Sequence, residues 1–399
     1  MISVEEALDL ILQHKKDFGT EEVSLLKSMG RVLAQPVKAD RDMPPFDRVT
    51  MDGIAIAWQA FAAGRRAFFI EKIQAAGVPQ QQLENLKNCI EVMTGAILSK
   101  DADTVIPYEA CEIAEGVATI KTETIKPYHN IHHQGTDSQA GDVLLQTGER
   151  ITPARIAILA SVGMAAVQVR CLPKVAIFST GDELVEVTQQ PEPHQIRKSN
   201  VYMLASALLA EGVEADMFHL PDDAKEMTQQ LASAIDGYQV LLFSGAVSKG
   251  KYDYLPSVLE HLGMQRIFHG VAQKPGKPLL FGSFPGKALV FGFPGNPVSS
   301  FVCYHIFFKP WLQASIGIKH QRLKAALTQE VIFKPQLTYH LPVQLTYENG
   351  ETFATSIAGS GSGDLTSIIH ADAILTLPAE REKFNAGEVF AITVLGYYL

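Results

Sequence analysis

Four glycine-bearing segments concentrate the residues able to do chemistry. "STGDEL" (179–184), "SGAVSKGKYD" (244–253) and "FPGNPVS" (293–299) each follow an apolar run, and "KPGKP" (274–278) sits at the end of a further strand pattern. Glycine lets a backbone approach a ligand and turn its N–H groups inward. A helix that follows adds partial positive charge at its N-terminus. Such loops hold anions, and phosphate is the first expectation. Ser244, Gly245, Ser248 and Gly250 form the predicted cradle, with Lys249 or Lys251 as flanking charge. Lys274 and Lys277 lie three residues apart. Lys277 precedes a proline, which favours an extended backbone, so the pair reads as an oxyanion site. Asp253 is out of place beside phosphate unless a divalent cation mediates. Mg²⁺ bridges phosphate oxygens to one or two carboxylates and keeps most of its waters. Glu183, Asp222, Asp223 and Asp253 all fall near predicted strand ends and are the candidate metal ligands. The pair Asp222–Asp223 has a second reading, because acidic residues in a first turn complement the helix macrodipole. Asp182 or Glu183 has one too, as part of a solvated turn.

These loops need a scaffold, and the middle third supplies its pattern. "PKVAIFSTGDEL", "VEADMFHL", "YQVLLF" and "QRIFHGVA" read as strands. Between them lie the helical runs "VYMLASALLAEG", with Ser199 and Asn200 as predicted caps, "PDDAKEMTQQLASAIDG" and "DYLPSVLEHLG". "PLLFGSFPGKALVFGF" reads as a hairpin, and Asn296 as the cap of a helix that begins at Pro297. Strands alternating with helices predict a doubly wound, mostly parallel α/β domain over 172–316. In open sheets of this kind ligands bind at the carboxyl ends of the strands. Residues 1–171 read as mixed helical and β regions in two subdomains, the β-rich one about 50–137. Residues 320–399 read as a small C-terminal β domain, with Asn349-Gly350 as a hairpin turn.

Composition excludes several classes. The 399 residues are 47% hydrophobic and 19% charged, enough for large cores. A net charge of -9 argues against a nucleic-acid binder. Cys89, Cys111, Cys171 and Cys303 are scattered and form no CxxC pair, so reduced thiols and a cytoplasmic location are expected. The N-terminus lacks the basic and apolar regions of a signal peptide, and no stretch has the roughly 20 apolar residues of a membrane helix. His129, His132 and His133 in "HNIHHQGTD" have no matching Cys or second His pair. They read as loop residues rather than as a metal centre.

In order along the chain, "PPFDRVTMDGIAI", "MTGA", "GTDSQAGD", "STGDEL", "SGAVSKGKYD", "KPGKP" and "PGNPVS" resemble the molybdopterin molybdenumtransferase family, which also includes the C-terminal part of gephyrin. The resemblance covers essentially the whole chain. It implies an elongated homodimer of four-domain subunits, with an active cleft between the α/β domain of one subunit and the N-terminal domains of the other. The implied substrates are adenylylated molybdopterin and molybdate, with Mg²⁺ required. The phosphoanhydride is hydrolysed, AMP leaves, and molybdenum is placed on the dithiolene sulfurs in the last step of cofactor assembly. An adenylyltransferase acting before it is an implied partner; nucleic acid and membrane are not. By position the resemblance makes Asp52, Asp137, Lys274 and Lys277 catalytic. Thr94, Pro294, Asn296, Pro297 and Ser362 become substrate-binding, and Glu183, Asp222 or Asp223, and Asp253 metal-binding.

The chain departs from the family pattern in places. Ala246 stands where a second glycine is usual, "DRV" replaces the commoner Asn-Ser-Ala before "TMDG", Arg197 and Lys198 replace an aromatic-acid pair, and His132 stands where arginine is common. Two other functions share parts of the pattern. A molybdopterin adenylyltransferase would resemble residues 172–316 alone, and a gephyrin-like peptide-binding scaffold would not need the carboxylates and lysines together.

Overall fold

The computed structural model describes residues 1–123, 125–245, 247, 254–318 and 323–395. Its centre is a six-stranded sheet in the order Ala215–Leu220, Val175–Thr180, Val240–Ser244, Leu289–Phe293, Leu280–Ser283, Gln265–His269. The first four strands are parallel, and the predicted hairpin adds the antiparallel edge. Side chains alternate between faces. Val175, Ile177, Val240, Leu242, Leu289 and Phe291 pack on one side. Ala176, Phe178, Leu241, Phe243 and Val290 pack on the other. Helices cover both faces, so both parities are apolar and the strands read as unbroken hydrophobic runs. Each fully buried aromatic or aliphatic side chain contributes about 1.5–3 kcal/mol relative to exposure.

The helix Val4–Gln13 begins at Ser3, whose hydroxyl accepts from the Glu6 N–H. Its buried stripe, Val4, Ala7 and Ile11, joins the core of the central sheet. The chain then leaves. Strand Thr20–Ser24 pairs with Ala166–Arg170 and packs near the helix Pro153–Ser161. Between them runs a second six-stranded sheet, in the order Thr104–Pro107, Gly53–Ile56, Cys89–Val92, Ala67–Gln74, Val117–Ile120, Cys111–Ala114. Gly53 is required there, since a Cβ would stand 1.9 Å from the Ile106 carbonyl oxygen.

The C-terminal strands close on themselves. Thr338–Glu348 pairs with both Glu351–Ser356 and Ala373–Leu377, and Leu323–Leu327 and Val389–Val394 complete the ring as a small barrel. The Asn349-Gly350 turn has both residues at positive φ, 51° and 83°, as a two-residue hairpin requires. A short strand, Gln273–Lys274, adds to the barrel by pairing with Thr338 and Tyr339. The segment that carries the two lysines is thereby fastened to the C-terminal domain. Among the described residues no helix is long and apolar enough to cross a membrane.

Candidate active site

The register of the central sheet sets the site. Thr180 lies opposite Leu220, Ser179 opposite Ser244, and Ser244 opposite Phe293. The carboxyl ends of these parallel strands are therefore level, and the residues that follow them face one opening. The strand Val175–Thr180 lies between its two successors, so the crossovers diverge there, at the position where such folds bind ligands. A cleft of ≈ 940 Å³ opens at this point, near the upper end of the range for ligand sites. Glu183, Asp222, Ser244, Gly245, Lys274, Lys277, Pro294, Asn296, Pro297 and Ser362 all line it. One wall is the α/β domain. The other is the barrel, through Tyr339, His340 and the 359–367 loop.

Local bonds hold these groups. Gly245 has φ +108°, and a Cβ there would meet Thr180 Oγ1 at 2.6 Å. Its N–H donates to the Phe293 carbonyl at 3.0 Å, so it is spent within the sheet and is not a ligand donor as the cradle reading expected. Asn200 donates from Nδ2 to Ser244 Oγ at 2.9 Å and to the Gly295 carbonyl at 2.6 Å. It ties two of the ligand loops together instead of capping its helix, and Ser199 makes no side-chain cap either. Asn296 occupies the N-cap position of Pro297–Cys303 without a capping bond; its Nδ2 donates to Ser362 Oγ at 2.8 Å, across to the barrel. Both asparagine amides thus bind acceptors outside their own helices.

The adjacent aspartates separate. Asp223 is the N-cap of Ala224–Gly237 and accepts from the Lys225 and Glu226 N–H groups, both at 2.9 Å. Asp222 instead faces the cleft, and its N–H donates to Asp182 Oδ1 at 3.2 Å. Ser248, Gly250 and Asp253, with Ala246, Lys249 and Lys251, lie outside the described residues.

Lys274 and Lys277 sit on a loop with no slack. Gly276 has φ +90°, and a Cβ there would meet Cys303 Sγ at 2.6 Å and Gln273 Nε2 at 2.7 Å. The fully buried Gln273 amide donates to the Gly276 carbonyl at 3.0 Å, and its Oε1 lies 3.2 Å from His340 Nε2. His340 Nδ1 lies 3.2 Å from Thr376 Oγ1. Burial pushes His340 down to about 3, so it is neutral. Lys274 Nζ also lies 5.7 Å from the centre of the Phe333 ring, within cation–π range.

The remaining expected residues form a second group, and none of them lines that cleft. Asp52 Oδ1 accepts from the Thr94 N–H at 2.6 Å and the Thr94 hydroxyl at 2.7 Å. Those two bonds hold its carboxyl below the usual carboxylate range. Asp137 Oδ1 lies 2.9 Å from His132 Nε2, and His132 Nδ1 lies 3.0 Å from Arg48 Nη2. His133 Nδ1 lies 3.3 Å from Asp47. His132 and His133 thus each face a carboxylate on a separate contact.

Three family descriptions match in series: "MoeA N-terminal region (domain I and II)" over residues 2–163, "Probable molybdopterin binding domain" over 176–314, and "MoeA C-terminal region (domain IV)" over 324–395. A molybdopterin molybdenumtransferase of Synechocystis sp. is 41% identical over 394 residues, covering 98% of this chain and 99% of the relative. The chain belongs to the molybdopterin molybdenumtransferase family. A second molybdopterin molybdenumtransferase, of Staphylococcus epidermidis, is 31% identical over 97% of this chain and 94% of its own length. The crystal structure of a molybdopterin biosynthesis protein from Pyrococcus horikosii superposes with a TM-score of 0.82 at 30% identity, covering both chains entirely.

For a molybdopterin molybdenumtransferase, the sequence pointed to the lysines and Glu183, but not to the residues that hold the lysine loop or that tie the Ser244 and Gly295 loops together. Gln273, His340 and Asn200 were not singled out for these roles. A signal was present for His340: in "TYHLPV" it alternates with Tyr339, Leu341 and Val343 of the barrel core, so it falls on the opposite face of the strand, where a buried histidine needs polar partners. Gln273 gave none, because its importance comes from a barrel more than sixty residues away in sequence.

Proposed function

We propose that this chain inserts molybdate into adenylylated molybdopterin with Mg²⁺, releasing AMP, as the last step of molybdenum cofactor assembly. The supporting observation is that Lys274, Lys277, Glu183 and Asp222 line one cleft at the ends of parallel strands. A phosphoanhydride and a tetrahedral oxometalate dianion both need their charge neutralised while the bond breaks. The two ammonium groups supply this, on a loop that Gln273 bonds both to the Gly276 carbonyl and to His340. Serine hydroxyls and the Asn296 amide orient the substrate, and the barrel wall restricts water.

The donor set fits Mg²⁺. Glu183 and Asp222 follow adjacent strands paired at Thr180 and Leu220, and both line the cleft as hard carboxylate donors. One or two carboxylates plus substrate oxygens are what this ion takes. When bound, it neutralises phosphate charge at the bond to be cleaved. Asp52, Thr94 and Asp137 act from a second surface, and a homodimer that lays this surface over the cleft of the other subunit completes the site. The adenylylated substrate comes from an adenylyltransferase, and we place the reaction in the cytoplasm.

The test mixes purified protein with adenylylated molybdopterin, Mg²⁺ and molybdate, and follows AMP and active cofactor. AMP release that depends on Lys277 and Asp222 is expected. Pyrophosphate release from ATP in its place, or AMP release untouched in Lys277→Ala and Asp222→Asn, refutes the reading.

A further inference from the structure

Arg48 and His132, two of the departures from the family pattern, touch each other. The strand pair Arg48–Val49 and Ile131–His132 sets Arg48 opposite His132 in register. The loop beyond is pinned to the segment before Arg48. Asp137 N–H donates to the Met43 carbonyl at 2.8 Å, Gly135 N–H to the Pro44 carbonyl at 3.0 Å, and Gln134 N–H to Asp47 Oδ1 at 2.9 Å. Those bonds fix the backbone of Asp137 but leave its carboxylate free to rotate, and the carboxylate is more than half exposed. The ring of His132 is what meets it.

The geometry selects one state of that ring. A guanidinium has donors only. Arg48 Nη2 stands 3.0 Å from Nδ1, so Nδ1 must present a lone pair. The single ring proton then resides on Nε2, 2.9 Å from Asp137 Oδ1, and is donated to the carboxylate. Arg48, His132 and Asp137 form a directional chain in which the arginine sets the tautomer and the tautomer sets the carboxylate. The neighbouring His133 cannot substitute, since its Nδ1 is engaged with Asp47 at 3.3 Å.

We propose that His132 is a positioning residue, locked by Arg48 as the Nε2–H tautomer and holding Asp137 in one rotamer for the reaction. The inference rests on the proposed function for what Asp137 does, but not for the geometry of the chain itself. The arrangement parallels the logic by which a carboxylate and an imidazole orient one another at other active sites. It also accounts for Arg48: its charge is directed at a ring nitrogen rather than at Asp52.

Two measurements test it. The first is ¹⁵N NMR of the full-length protein with labelled histidine, with the His132 signals identified among the 12 histidines by their loss in His132→Gln. The expected pattern is an unprotonated Nδ1 and a protonated Nε2, shifted in Arg48→Met and in Asp137→Asn. A ring protonated on Nδ1, or one indifferent to both substitutions, overturns the proposal. The second is turnover. His132→Leu is expected to lower kcat about 10–100-fold, the usual loss when the group orienting a reacting residue is removed. His132→Gln retains most of the rate, because an amide offers one donor and one acceptor. Full activity in His132→Leu, or equal loss in both variants, refutes the positioning role. A protein with the expected NMR pattern but no AMP release refutes the proposed function alone.

Discussion

His340 gives the sharpest pH prediction. It is fully buried where the barrel wall meets the Gln273 loop, bonded to Gln273 on one side and Thr376 on the other, and burial pushes it down to about 3 from 6.5. In the unfolded chain it regains its ordinary value. Below that value the unfolded state binds a proton that the folded state refuses, so stability falls as pH drops. Each pH unit costs about 1.4 kcal/mol, or about 3 kcal/mol by pH 4. His340→Gln removes the titration but also disturbs a buried bond, which costs about 1–3 kcal/mol at pH 7. The wild type is therefore more stable at neutral pH, and the two curves meet near pH 5, on the order of one to two units below the unfolded value. Hydrogen exchange of peptides spanning Thr338–Glu348, corrected for intrinsic rates, reads the local opening energy. The variant should lose protection less steeply than the wild type from pH 7 to pH 4. A constant gap over that range would show that His340 does not stay neutral in the folded barrel.

Three further outcomes follow from other contacts. Gly276→Ala places a Cβ against Cys303 and Gln273 at positive φ, and should cost about 2–5 kcal/mol while weakening substrate binding through both lysines, seen as a raised KM. Asp222→Asn should raise the Mg²⁺ concentration needed for half-maximal AMP release, whereas Asp223→Asn, which can still cap its helix, should leave that requirement unchanged; equal shifts would contradict the separation of the pair. Thr94→Val removes the side-chain bond that helps hold the Asp52 carboxyl low, so protonation should set in at higher pH and the acid limb of the pH–rate profile should move upward; an unmoved limb would exclude Asp52 as the group that sets it.

The order of residues carried the architecture and marked the loops that bear Glu183, Asp222, Lys274 and Lys277. Unbroken apolar runs alternating with capped helices specify a sheet covered on both faces, and glycines after those runs specify where loops approach a ligand. Glu183, Lys274 and Lys277 were legible because a charged residue at a strand end has few other reasons to be there. Their arrangement was decided only in three dimensions. Asp222 and Asp223 are chemically identical neighbours, and one became a cap while the other faced the cleft, because the helix begins between them. Asn200 and Asn296 carry cap-like local signals, yet both amides are bonded across to other loops. The lysine loop is held by Gln273 and His340 through a barrel far along the chain, and Asp137 is oriented by His132 and Arg48 through a strand pairing. Local propensity is settled within a few residues. A hydrogen bond between distant segments depends on register and loop closure, which the order of residues encodes only through the fold as a whole.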